Sequence, residues 1–255
     1  SFPTRRSSDL AKENDGKLPT AYDLVMKTLE SRMKIKSGHV KLSVDTEYVD
    51  KAASWKEAPV AYDIYFDDLS RRSIEDRDLP IGRVTRKAIV TPKYFIYDSS
   101  PRDSILFKPL NESSQPSDMQ VAFHPRMLGL CPIFVEILWH YSNDSKSIFS
   151  YARSEKSAVS EDELGGEKMW KLDFEPTPRI HWKLWIAPRF GYNIVRMECV
   201  HQLPGDARQM RSELSVQLEK FGLGDVWYPQ KVTVHHFDSP NTQSTKQTIY
   251  TKEAQ

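Results

Sequence analysis

The sequence predicts an α+β fold: one long, curved antiparallel sheet, an incomplete β-barrel, wrapped around an N-terminal amphipathic helix and a central apolar helix. Three observations carry this. Apolar and polar residues alternate with period two over many segments. The chain holds 11 tyrosines, 11 phenylalanines and 6 tryptophans, which suit pleated surfaces, and 16 prolines to punctuate strand ends. Polar turns rather than helical periods separate most strand candidates, which argues a meander and not strand–helix–strand units.

Residues 1–18 are expected to be a disordered or artefactual tail. Phe2 to Leu10 reads FPTRRSSDL, which resembles the conceptual translation of a sequencing adapter. On that reading the tail is not part of the fold, and a signal peptide is presumed lost with a truncated N-terminus.

Thr20 and Asp23 have the spacing of a capping box. Tyr22, Val25, Met26, Leu29 and Met33 then recur at helical spacing and predict one apolar stripe, with Gly38 ending the run. A strand follows at once: Val40, Leu42, Val44, Thr46 and Tyr48 alternate with Lys41, Ser43, Asp45 and Glu47. The next places Val60, Tyr62, Ile64 and Phe66 on one face and ends at an Asp67-Asp68 turn. Further strands are expected over 71–74, 84–91, 93–97 and 104–108. Residues 111–118 read as a polar loop.

Residues 127–141 form the most apolar stretch, and Pro132 suits a first helical turn. The stretch is too short to span a membrane and contains Glu136 and His140, so a buried or lid helix is expected. A polar connection over 154–163 leads to Gly165-Gly166. Strands are then predicted over 168–174, 179–186, 192–201, 210–221, 226–237 and 243–251. No repeat or linker interrupts the pattern, so residues 19–255 read as a single domain.

Composition excludes several functions. Lysine and arginine number 36 against 35 acidic residues, which leaves no electrostatic footprint for nucleic acid. Cys131 and Cys199 permit one disulfide at most, and they are expected as small buried residues whose pairing stays open. No glycine-rich phosphate loop, nucleophile elbow or HExxH motif occurs, and no cofactor is implied. His235 and His236 are adjacent, so on a strand they face opposite ways and cannot share a metal. His181 and His201 could meet across neighbouring strands, but no third ligand accompanies them. The carboxylates Asp67-Asp68 and Glu161-Asp162-Glu163 are expected in turns. A Ser–His–Asp set is spatial rather than sequential, and no feature points to one. The reading is therefore non-enzymatic.

The apolar face offers more. Tyr62, Ile64 and Phe66 line one strand, Trp170, Leu172 and Phe174 another, and Trp182, Leu184 and Ile186 the next. These bulky side chains exceed what one helical stripe covers. They form either a two-layer core or a groove for an acyl chain. On the groove reading the ligand-binding residues are Tyr62, Ile64, Phe66, Trp170, Leu172, Trp182, Leu184 and Ile186, joined by Phe134 and Leu138 from the central helix. Trp185 falls on the opposite face from Trp182.

A resemblance rests on the second half. The run from Gly165 through Trp170-Lys171-Leu172 to Trp185-Ile186 and Tyr192-Asn193-Ile194-Val195-Arg196-Met197-Glu198 is a glycine turn followed by long strands. Phe221-Gly222 leads to Trp227-Tyr228-Pro229, a turn into an aromatic strand. Together with the order of elements, these resemble the outer-membrane lipoprotein carrier and receptor (LolA/LolB-like) superfamily of bacterial envelopes. The resemblance implies an incomplete barrel with a hydrophobic cavity, a lipid or lipoprotein acyl chain as partner, and a periplasmic or envelope location. No carrier-specific binding residue maps onto the sequence. The alternative is a structural or protein-interaction module with a filled core and no ligand.

Overall fold

Thr20 is the N-cap of the first described helix. Its hydroxyl accepts from the Asp23 backbone N–H at 3.1 Å, while the Asp23 carboxylate accepts from the Thr20 N–H at 3.1 Å. This capping box opens helix α1 (Ala21–Met33), as its spacing predicts. The structure is a computed structural model that describes residues 18–50, 53–67, 70–80, 82–91, 93–99, 102–109, 128–129, 157–202, 209–221, 226–239 and 243–255.

The strands are β1 (Gly38–Val49), β2 (Ser54–Lys56), β3 (Val60–Phe66), β4 (Arg71–Leu79), β5 (Gly82–Val90), β6 (Tyr94–Ser99) and β7 (Arg102–Pro109). The second run is β8 (Ser157–Leu164), β9 (Glu167–Thr177), β10 (Ile180–Ala187), β11 (Asn193–Gln202), β12 (Gln209–Lys220), β13 (Trp227–Ser239) and β14 (Gln243–Ala254). They form one antiparallel sheet in the order β7-β6-β5-β4-β3-β1-β14-β13-β12-β11-β10-β9-β8, with β2 paired to β1. Two meanders thus meet in the middle, where β1 pairs with β3 on one side and with β14 on the other. Among the described residues the sheet is not closed, and β7 and β8 are its two ends.

Gly165 and Gly166 turn β8 into β9 with φ of 63° and 82°, a conformation that suits glycine in a two-residue hairpin.

Four expectations are corrected. The helix buries only part of the predicted stripe: Tyr22 and Met33 are 36% and 55% exposed. Of the stripe, Val25 is buried and Met26 and Leu29 are half-buried, and the inward face is completed by Ala21, Leu24, Thr28 and Arg32. The rotation escapes a reading by hydrophobicity because two inward positions are polar. Residues 157–164 are a strand, not a connection, so Glu161, Asp162 and Glu163 lie in β8 and not in a turn. Among the described strands β8 is an end strand paired only with β9, and its wet composition hides its period. β4 continues through Leu79 because Glu75 and Arg77 face ion-pair partners. The short β2 was not anticipated. The predicted central helix, with Cys131, Phe134 and Leu138, lies outside the described residues.

Candidate functional site

Period-two alternation puts every second side chain of each strand on the inner face, and the register joins them into rows. One row runs Val234–Leu214–Met197–Leu184–Leu172–Val159 across β13 to β8. The next runs His236–Ser212–Cys199–Trp182–Phe174–Ser157. The first is wholly apolar. In the second, Trp182 and Phe174 stack with centroids 6.4 Å apart, Cys199 is buried, and Ser212 Oγ lies 2.8 Å from His236 Nδ1.

On the other side of the seam, Val44 stands between Ile249 and Val60, and Leu42 between Thr251 and Tyr62. The inner face changes character at β4. Tyr62 is opposite Glu75, which is opposite Arg86. Arg86 pairs with Glu75 at 3.1 Å and Arg77 with Glu57 at 2.8 Å. Burial, with Glu75 second, pushes the Tyr62 phenol above its ordinary range, so it stays neutral. The inner face is mainly apolar from β3 to β9, whereas across β4 and β5 the row that continues Tyr62 is charged.

Of the residues that the sequence singles out, Ile64, Phe66, Leu172, Trp182, Leu184 and Ile186 belong to one buried cluster, with Tyr62 and Trp170 packed against it. The cluster also takes in Ala21, Leu24 and Val25 of α1. The strands of the first and second meanders therefore share one apolar surface. Trp185 lies in a separate outer cluster with Met169, Ala187 and Val195, and its indole N–H donates to Asp162 at 2.9 Å.

Helix α1 sits on the turn from β10 to β11. The Thr28 hydroxyl donates to the Tyr192 carbonyl oxygen at 2.7 Å, and Lys27 Nζ lies 4.6 Å from the Tyr192 ring centroid. Gly191, at φ of 68°, leaves room there: a Cβ would come 3.2 Å from Ser31 Oγ. Arg32 was not anticipated. It is 1% exposed, and its guanidinium carbon lies 5.8 Å from the Tyr228 ring centroid. Burial lowers its pKa to about 10, so it stays charged at neutral pH. Its signal in the sequence was position: residues 21, 25, 28 and 32 share one helical face.

His181 and His201 do not meet across the strands: His181 is opposite Val200, and Ile180 is opposite His201. Among the described residues no three histidine, cysteine, aspartate or glutamate side chains are placed to hold a metal. No described helix is long and apolar enough to cross a membrane.

No protein-family model matches the chain, and no curated protein matches it. Solved structures do. An outer membrane lipoprotein-sorting protein domain from Vibrio parahaemolyticus matches with a TM-score of 0.51 at 9% identity, over 90% of this chain and 91% of that one. A DUF1329 family protein from Desulfovibrio piger gives 0.49 at 11% identity, over 92% and 91%. A LolA superfamily protein from Nitrosomonas europaea gives 0.45 at 11%, over 93% and 94%. The Vibrio match shows a shared fold over nearly the whole of both chains.

Proposed function

Starting from the fold shared with a lipoprotein-sorting domain, we propose that this protein is a non-enzymatic component of the bacterial envelope that holds an acyl chain of a lipid or lipoprotein. The chain lies along the inner faces of β3, β9 and β10, on Tyr62, Ile64, Phe66, Trp170, Leu172, Trp182, Leu184 and Ile186. On this reading Phe134 and Leu138, which lie outside the described residues, complete the lining, and the sheet curls about the chain. The observation that carries this reading is the unbroken apolar row from Val234 to Val159, continuous with the β3 face in one cluster.

Burial of each methylene contributes about 0.8 kcal/mol, so about ten of them give roughly 8 kcal/mol before the cost of association. Ile64, Leu172 and Ile186 are 0% exposed. An acyl chain therefore reaches them only when the covering elements move, and α1 is the element assigned to that motion. The same observation favours the second reading, a protein-interaction module whose core is filled by its own side chains.

A fluorescent polyene fatty acid separates the two. Delipidated protein is titrated while energy transfer from tryptophan is followed, Trp170 and Trp182 being on the proposed lining. Saturable transfer that a Leu184→Glu variant abolishes, with the variant still folded by circular dichroism, supports acyl binding. Absence of transfer at all concentrations favours the filled core. Fractionation of cells expressing the full gene tests the envelope location.

A further inference from the structure

Helix α1 turns a cation toward the core and leaves methionine in water. Arg32 is 1% exposed, whereas the adjacent Met33 is 55% exposed. Nε, Nη1 and Nη2 of Arg32 are all buried without a hydrogen-bond partner among the described residues. An unpaired guanidinium in an apolar interior is strongly unfavourable, and nearly all buried polar groups in folded proteins have partners. Methionine would fill this position without that cost.

The contact that Arg32 does make is informative. The guanidinium lies over the Tyr228 ring, itself buried in the core. A cation over a ring face is satisfied through its π surface, while its N–H donors radiate in the plane of the fork. That edge matches an oxyanion, which takes two parallel hydrogen bonds from it. Burial keeps the Tyr228 phenol neutral, so the ring adds no competing negative charge.

We propose that Arg32 is an anion site inside the apolar core and that the acyl ligand carries a carboxylate or phosphate, which Arg32 binds through its two-pronged edge against the Tyr228 ring. This rests on the acyl-binding reading above and narrows it to anionic amphiphiles. The charged head is held at the C-terminal turn of α1, and the chain runs along the apolar rows.

The test compares palmitic acid, methyl palmitate and inorganic phosphate on delipidated wild type, Arg32→Met and Arg32→Lys by calorimetry. Wild type is expected to bind the acid at least about tenfold more tightly than the ester, the scale of a charge-assisted hydrogen bond. Arg32→Met is expected to bind both alike while remaining folded, and Arg32→Lys to keep only part of the preference because it loses the fork. Phosphate that displaces the acid from wild type but does not bind Arg32→Met places a free anion at the same locus and supports the site. Equal affinity of wild type for acid and ester, or an undiminished preference in Arg32→Met, overturns the anion site and leaves acyl binding standing. If neither acid nor ester binds, acyl binding fails first, and phosphate binding that requires Arg32 then supports the anion site without a chain.

Discussion

The Thr28 hydroxyl donates to the Tyr192 carbonyl oxygen at 2.7 Å and lies 3.0 Å from the Leu24 carbonyl oxygen. One side chain thus fastens helix α1 to the β10–β11 turn. Thr28→Val preserves the shape and removes the tie, leaving the part-buried Tyr192 carbonyl without this donor. The expected loss is about 1–2 kcal/mol in urea unfolding. If α1 covers the acyl site, the variant also takes up a fatty-acid probe faster than wild type. Stopped-flow fluorescence reads the rate, and an unchanged rate argues that the chain does not enter past α1.

The helix face is open to a direct comparison. Leu24 is fully buried and Met33 is mostly exposed. Leu24→Ala is expected to cost about 2–5 kcal/mol by cavity formation. Met33→Gln should stay within about 0.5 kcal/mol, as a surface change. Similar losses from both variants would mean that α1 buries the stripe its hydrophobicity suggests.

Leu184 stands between Leu172 and Met197 in the apolar row and is nearly inaccessible. Leu184→Ala is expected to destabilise by about 2–5 kcal/mol. On the acyl-binding reading, a saturating fatty acid restores part of that loss, since a ligand that binds only the folded state stabilises it. Thermal melts with and without the acid measure the restoration.

Asp162 accepts from the Trp185 indole N–H at 2.9 Å and from the Glu163 N–H at 2.8 Å. The indole first, then the backbone donor, hold its carboxyl below the ordinary range. A lowered carboxyl pKa contributes stability that is present above its unfolded value of about 3.9 and is lost as pH falls through the folded value. The Trp185 indole N–H resonance should therefore shift with an inflection below about pH 3.9. In Asp162→Asn the inflection should vanish.

Much of the fold was legible because its signals are local. The Thr20–Asp23 box, the alternation through Val40, Leu42 and Val44, and the Gly165-Gly166 turn each depend on a few neighbouring residues. β8 was hidden because an end strand has one partner and tolerates the run Ser160-Glu161-Asp162-Glu163. The second half of β4 was hidden because Glu75 and Arg77 face charged partners supplied by β5 and by Glu57. Within the candidate site, parity along β3, β9 and β10 placed the apolar lining on one face. Register did the rest: that Leu184 stands opposite Leu172 and Met197, or Ser212 opposite His236, follows from pairing that no single strand encodes. Arg32 was missed because an arginine is counted as polar surface unless the helix phase is known.

The central claim is that an acyl chain occupies the inner face. Native mass spectrometry of the protein, produced in a bacterial host and purified without detergent, tests it most directly. The account predicts a population heavier than the bare chain by the mass of an acyl lipid, which organic extraction releases as a fatty acid or an acidic lipid and which is diminished in Leu184→Glu. A single species at the mass of the bare chain, together with failure of the delipidated protein to take up added palmitic acid, would contradict it.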